Sequence, residues 1–410
     1  MEKMREDLDM FQLALGIEEP WYVSYRELDI KQSLLHVGLN FRRGAEFACP
    51  ECGKACKVFD IVNEDRTWRH LNFWQYQTIL HARLPRIKCL ACGKVLTVQV
   101  EWSRPQAGFT WLFEGYVMEL MKEMPVAAVA REVNEHDTRL WRVLRYYVDR
   151  AMKEMDITEV KRIAVDETSS RRGHQYITLF VDVDTKKLLF ATEGKGSAGL
   201  SKFGTFLQER GLAPEQIEEF CCDMSAAFIS GIQQHFPKAQ ITFDKFHVMK
   251  MVNEGVDQVR REEQKEVDEL KKSRYVWLKN EAHLTPAQKE KLVKLKDMNL
   301  LTGRAYRIRL ALQELWTYPA LLADLYWGSW YGWAVRSQIE PMVQVAKSLK
   351  RHEEGILRWF QTKMTNGLLE GLNSLIQATK RKARGFRTVE NFIAMAYVTV
   401  NKVQIAVHPH

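Results

Sequence analysis

Between residues 160 and 245 the chain alternates short apolar runs with amphipathic stretches. Residues 160–165 form an apolar run that delivers Asp166. Residues 176–183 and 188–192 alternate with period two around Asp184-Thr185-Lys186-Lys187, which predicts two strands joined by a turn. Residues 200–208 have helical spacing. Residues 217–222 read as a strand delivering Asp223, with Cys221 and Cys222 as core. Residues 226–236 read as a helix stopped by Pro237, and residues 239–243 as a strand delivering Asp244. Upstream, residues 109–124 and 125–134 have helical spacing, and His136-Asp137-Thr138 offers a turn and N-cap before a helix over 139–148. Arg139, Arg142 and Arg145 share one face of that helix, while Val143, Leu144, Tyr147 and Val148 turn inward. A basic helix after a short Ala-rich one is the pattern of a helix-turn-helix. Downstream, residues 254–272 and 286–298 read as helices. The aromatic run from Trp327 to Trp333 suits either core packing or stacking on splayed bases.

Composition narrows the class. At 410 residues with 46% hydrophobic content, the chain can build two to four cores. It has no apolar run long enough to span a bilayer, and its charged N-terminus lacks the apolar region of a secretory signal. A cytoplasmic protein without membrane association is expected. The net charge of +8 is uneven: residues 1–150 are balanced, residues 151–250 carry −1, and residues 251–410 carry +9. The basic half fits a polyanion, or simply a solvated helical surface.

Four of the seven cysteines form two pairs, Cys49-Pro50-Glu51-Cys52-Gly53 and Cys89-Leu90-Ala91-Cys92-Gly93. Two such turns aim four thiolates at one point, the donor set of structural zinc. Disulfides and redox pairs are the competing readings, less suited to an intracellular chain. The intervening segment is strand-like over residues 68–84, as in a zinc ribbon with an extended hairpin. Cys56 reads as a bystander.

Carboxylates at the ends of neighbouring strands repel each other unless cations sit between them. Taken singly, an Asp after a strand is usually a turn or cap residue. Together, the order β-β-β-α-β-α-β with acids after the first and fourth strands is the ribonuclease H-like arrangement, in which two Asp and a later acid hold two divalent ions. All-oxygen ligands suit Mg²⁺, or Mn²⁺. The later acid is Glu370, flanked in a predicted helix by Gly367 and Gly371 although each glycine costs about 1 kcal/mol there. Close approach of a backbone, metal or nucleic acid would explain them. The basic stretch Lys380, Arg381, Lys382, Arg384 and Arg387 follows, suited to holding a phosphodiester.

Several fragments are more specific. They are Val165-Asp166-Glu167 with Arg172-Gly173-His174, Asp223-Met224-Ser225, Asp244-Lys245-Phe246-His247, Thr365-Asn366-Gly367 with Glu370-Gly371-Leu372-Asn373, and Lys380-Arg381 before Arg384-Gly385-Phe386. In this order, with the cysteine pairs and the helix-turn-helix, the chain resembles the DDE-type bacterial insertion-sequence transposases, from about Cys49 to Asn401. The resemblance implies an α+β multidomain protein. Its parts are an N-terminal segment (1–45), a zinc ribbon (46–102), a helix-turn-helix (105–150) and a ribonuclease H-like core in two parts (158–250 and 361–410) split by a helical insertion (251–360). It also implies Asp166, Asp223 and Glu370 as catalytic metal ligands, with Asp244 and His247 in support. Cys49, Cys52, Cys89 and Cys92 would bind Zn²⁺. The expected partners are double-stranded DNA, as terminal inverted repeats and target, and further copies of the chain in a dimer or larger assembly. The expected reaction is metal-dependent strand cleavage followed by strand transfer. The alternatives are a nuclease or resolvase of the same fold that cuts without joining, and a non-catalytic DNA-binding regulator.

Overall fold

A computed structural model describes residues 2–171, 173 and 175–403, with the side chains of residues 2–7 excepted. The chain divides into two compact units, residues 1–149 with the extreme C-terminus from 403, and residues 150–402.

The first unit begins with α1 (Glu2–Ala14) and a sheet of six strands, β1 (Trp21–Asp29), β2 (Leu34–Phe41), β3 (Glu46–Ala48), β4 (Ala55–Arg69), β5 (Gln77–Cys89) and β6 (Lys94–Thr97). The order is β1-β2-β5-β4-β3, with β6 also on β5. The long antiparallel pair β4–β5 is the extended hairpin anticipated between the cysteine pairs. The first 45 residues, which carried no sequence signal, supply two more strands. Their Trp21 packs edge-on against Trp102 at 5.0 Å, and Trp102 against Trp68 at 5.5 Å, so one aromatic core spans the whole sheet. Three helices follow, α2 (Trp111–Glu123), α3 (Val126–Glu132) and α4 (Asp137–Glu154). Thr110 caps α2 by accepting from the Phe113 N–H. Leu140, Val143, Leu144, Tyr147 and Val148 of α4 are buried, as their spacing requires. A polar clamp joins α2 to α4: the fully buried Glu114 accepts from Arg104 at 2.8 Å and from the Tyr147 hydroxyl at 3.1 Å. Burial raises the Glu114 carboxyl despite the Arg104 charge.

The second unit contains a five-stranded sheet of β7 (Arg162–Arg171), β8 (Gln175–Asp182), β9 (Leu188–Glu193), β10 (Glu219–Cys222) and β11 (Gln240–Phe243), with α5 (Ser197–Glu209) and α6 (Ala226–His235) in the crossovers. The order is β11-β10-β7-β8-β9. β11, β10 and β7 are parallel, and β8 and β9 return antiparallel. This is the ribonuclease H-like order expected from the sequence. Ile163 and Val165 join Phe180, Phe203 and Phe236 in the core on the α5 side. The alternate residues of β7 therefore face the other way.

A helical region follows: α7 (Lys245–Glu263), α8 (Arg274–Leu278), α9 (Pro286–Lys296), α10 (Leu301–Leu315), α11 (Ala320–Val335) and α12 (Glu340–Lys350). The helix predicted over 254–272 starts instead directly behind Asp244, because the apolar stripe Val248, Val252, Val256 and Val259 begins there and packs inward. Its core is continuous with that of the sheet. The chain returns through α13 (Glu353–Thr362), whose Gly355 lies where any Cβ would sit 2.5 Å from the Phe243 ring of β11. It ends in α14 (Gly367–Lys382) and α15 (Val389–Asn401). α15 closes the second face of the sheet, its Tyr397 hydroxyl accepting from the Ala191 N–H at 3.0 Å. Trp327 and Trp330 are buried in the helical core, and the Trp330 indole donates to the Ile308 carbonyl at 2.9 Å. Core packing is therefore the reading that holds for these two rings; Trp333 alone of the three is substantially exposed.

Candidate active site

The three strand-borne aspartates are set by register. β7 pairs with β10 as Ala164 with Cys221, and β10 with β11 as Cys222 with Phe243. Carried forward to the residues just after those pairs, the register puts Asp166, Asp223 and Asp244 abreast, on strands about 4.8 Å apart. Asp166 is not a strand end as the apolar run implied. β7 continues to Arg171 because Glu167, Thr168 and Ser169 keep pairing with β8, so polar residues extend the strand by backbone bonds.

Asp166 lies on the face covered by α14, and that helix is fastened along β7 by amides and an amine on one side. Asn373 donates to Asp166 Oδ2 at 2.8 Å, Gln377 to the Thr168 hydroxyl and the Ser169 carbonyl at 2.8 Å each, and Lys380 to Ser169 O at 2.7 Å. Asn373, Gln377 and Lys380 are four and three residues apart, one helical face. In the sequence, the only signal for Asn373 and Gln377 is this spacing, which continues from Glu370. Glu370 sits in the first turn of α14, its N–H bonded to Asn366 O at 2.7 Å.

Asp244, at the end of the row of aspartates, is almost wholly buried. One oxygen accepts from the Asn366 N–H at 3.2 Å, and the other lies 3.5 Å from His247 Nδ1 in an ion pair too long to be a good hydrogen bond. Asp244 thus ties the start of α7 to the start of α14.

The electrostatics follow from crowding. Burial raises the Asp166 carboxyl, with Asp223 and Asp244 adding to the rise and His247 opposing it. Glu370 is raised by burial and then by Asp244 and Asp166. The Asp244 carboxylate raises His247, favouring its imidazolium. Glu167 points to the opposite face and accepts from the Gly196 N–H at 2.9 Å. The donor set is hard oxygen with excess negative charge, which fits divalent cations of the magnesium class. Among the described residues the acids do not close into a group with all ligand atoms within 4.8 Å, as the four cysteines do.

In the first unit, Cys49, Cys52, Cys89 and Cys92 converge, with sulfur pairs at 3.9 Å (Cys49–Cys92) and 3.6 Å (Cys52–Cys89). Gly53 and Gly93 both take positive φ, +73° and +69°, so that the backbone can turn around the sulfurs. The Cys92 N–H holds the Cys89 thiol down to about 6, whereas contact with Cys52 and burial push Cys92 up to about 12. Thiols crowded in this way ionise together only around a cation, and four thiolates make a zinc site. Cys56 bonds to the Lys54 carbonyl instead, at 3.4 Å, and Cys221 and Cys222 are core.

The basic residues divide. Arg142 and Arg145 are exposed on α4. Arg139 pairs with Glu135 at 2.5 Å and lies over the Phe109 ring at 4.1 Å, which commits it partly to the fold. Lys380 is likewise engaged, while Arg381, Lys382, Arg384 and Arg387 are exposed around the end of α14. Arg172 and His174 lie outside the described residues.

Comparison with known proteins agrees with this layout. Residues 45–92 match the zinc finger of the transposases of IS204, IS1001, IS1096 and IS1165, and residues 98–148 match the helix-turn-helix domain of transposase family ISL3. Residues 163–396, more than half of the chain, match the ISL3 transposase domain itself. The chain belongs to the ISL3 family of transposases. Among similar proteins, the transposase of insertion sequence IS1001 from Bordetella parapertussis is 29% identical over 84% of this chain and 86% of its own length. The transposase of IS1557 from Mycobacterium tuberculosis is 27% identical, over 86% and 85% respectively. The family carries a DNA-binding helix-turn-helix, and the four converging cysteines fall within the zinc-finger match and could hold the metal. Among the described residues no helix is long and apolar enough to cross a membrane.

Proposed function

We propose that this chain binds the terminal inverted repeats of an insertion sequence and cuts and joins DNA strands there, with Asp166, Asp223 and Glu370 holding divalent cations. The observation that carries this reading is the row Asp166, Asp223, Asp244 on adjacent parallel strands, roofed by the helix that bears Glu370. When bound, such ions supply positive charge at the attacking and leaving oxygens of a phosphodiester. The residues of the chain do the positioning. Asn373 and the Glu167 N–H both donate to Asp166, which fixes its carboxylate plane. Asp244 holds α14 at its first turn through the Asn366 N–H, setting the height of Glu370 above the strands. The imidazolium of His247 favours the ionised forms of Asp166 and Glu370, the forms that bind a cation. Arg142 and Arg145 on α4 would meet the DNA, and the exposed basic residues after α14 would hold its backbone near the acids.

The test is a labelled duplex carrying the end of the element, incubated with Mg²⁺ and a target plasmid. Joined products are expected, and Asp166→Asn and Glu370→Gln should each lower cleavage by at least about a thousandfold with duplex binding retained. Hydrolysis without joining would favour a nuclease. Unchanged activity in either variant would remove these residues from the chemistry.

A further inference from the structure

The sequence of α11 is apolar around its whole circumference, with Asp324 the one charged residue among its 16. A helix of that kind is normally buried on all sides, and this one is buried on one. Ala323, Trp327, Trp330 and Ala334 face the helical core. On the other side Leu321 is 89% and Leu325 73% exposed, with Leu322 and Trp333 at 44% beside them. At 16 residues the helix is too short to cross a membrane. The second half of the same side is built from small residues, Gly328, Ser329 and Gly332. A Cβ on Gly328 would meet nothing within 4 Å, and one on Gly332 would meet only the guanidinium of Arg336, at 3.1 Å. The fold of the single chain therefore asks for neither glycine, although each weakens a helix interior. Leu321, Leu325, Gly328 and Gly332 recur at helical spacing and share one stripe.

Bulk at one end of a stripe and small residues at the other make the stripe complementary to itself when reversed. Laid antiparallel about a two-fold axis near Gly328 and Ser329, a second copy sets its Leu325 against Gly332 of the first, and the first returns the contact. Laid parallel, leucine would meet leucine and glycine would meet glycine, a clash beside a gap. Charge sorts the two arrangements the same way. Asp324 lies in the first half of α11 and Arg336 just past its end, so reversed copies bring unlike charges to each end and parallel copies bring like ones. The helix dipoles also oppose each other only in the antiparallel pair. The four exposed side chains present roughly 500 Å² of apolar surface, the scale of the largest patch on a typical monomer and over half of one side of a standard interface. We propose that α11 is the pairing surface for a second copy of this chain, with two α11 helices packed antiparallel and Leu325 seated over Gly332. The pairing needs neither DNA nor a divalent ion, and it stands independently of the reading of the acids.

Sedimentation velocity of the full chain, free of DNA, measures the pairing. A dimer with a Kd of about 10 μM or tighter is expected. Leu325→Lys places a charge in the contact and should raise that Kd at least about a hundredfold, with an unchanged helix signal in circular dichroism because the position is exposed in the single chain. Gly332→Leu sets leucine on leucine and should raise the Kd at least about tenfold. Leu325→Ala with Gly332→Leu exchanges knob and hole across the axis and should return the Kd to within about threefold of wild type. Only the antiparallel pairing predicts that recovery, since in a parallel pair each position meets itself. A wild-type chain that stays monomeric at about 50 μM would overturn the proposal. Flotation with phosphatidylglycerol vesicles, lost in Leu325→Lys, would then give the face to a lipid surface. A dimer that Leu325→Lys leaves intact would place the interface elsewhere, and a double variant no tighter than Gly332→Leu would refute the antiparallel register.

Discussion

Arg358 anchors the helix that leads into the Glu370 helix without touching Glu370. It sits on α13, and its Nε approaches both oxygens of Glu219 on β10, at 3.0 and 2.8 Å. Glu219 is only 5% exposed and also accepts from the Thr242 hydroxyl of β11 at 2.6 Å. One carboxylate therefore ties two strands to the helix that leads into α14. Replacing Arg358 by Met keeps most of the aliphatic stem and removes the charge. At about 3 Å and an effective dielectric near 20, the gross attraction is about 5–6 kcal/mol. Arg358 is about a quarter exposed, so solvent screens part of that. Against this, stranding a buried carboxylate costs about 3–5 kcal/mol. The expected loss is about 2–4 kcal/mol, which for a unit of this size is a fall in Tm of roughly 4–16 °C by calorimetry. Adding Glu219→Gln should recover at least half, because the amide oxygen still accepts from Thr242 and no charge is stranded. End cleavage by Arg358→Met should fall below wild type even at temperatures where the variant is folded, since the anchor of α13 is lost. A Tm within 1 °C of wild type, or no recovery in the double variant, would refute the reasoning.

Three further outcomes are expected. Cys89→Ser should reduce bound zinc from one per chain to nearly none by elemental analysis and destabilise the first unit, given that structural zinc contributes on the order of 10 kcal/mol; full zinc occupancy in the variant would exclude Cys89 as a ligand. Gly371→Ala meets nothing within 4 Å, so the crowding by another part of this chain that the two glycines suggested is absent there. The substitution should stabilise α14 by about 1 kcal/mol and yet slow cleavage if DNA lies on that open surface; unchanged kinetics would show that it does not. His247→Gln removes the imidazolium that favours the ionised form of Asp166, so the Asp166 carboxyl should titrate at higher pH. Its folded value already lies above the ordinary one, so its ionised form costs stability as pH rises through that window, and the variant should widen the cost. Carboxyl chemical shifts followed through a metal-free pH titration would show this, and an unmoved midpoint would contradict it.

The hydrophobic pattern by itself determined the five strands and two crossover helices of the second unit. Three of the strands stand out as apolar runs and two as period-two alternation around a turn, and these had few competing interpretations. The cysteine spacing determined the zinc site for a similar reason: each short turn, with its glycine at positive φ, is a local structure. Local spacing also sorted the inward and outward faces of α4. Only the tertiary structure decided what depends on distant pairings. The parallel register of β7, β10 and β11 sets three aspartates abreast, and no periodicity reports register between strands separated by crossovers. The first 45 residues showed no recognisable motif, yet they complete a sheet and an aromatic core, because their pairing partner β5 lies tens of residues away. The same is true of Asn373 on Asp166, Asn366 on Asp244 and Arg358 on Glu219, contacts spanning 207, 122 and 139 residues. Sequence patterns carry which residues are polar or apolar and how they are spaced. Which polar group meets which across the fold is decided by packing.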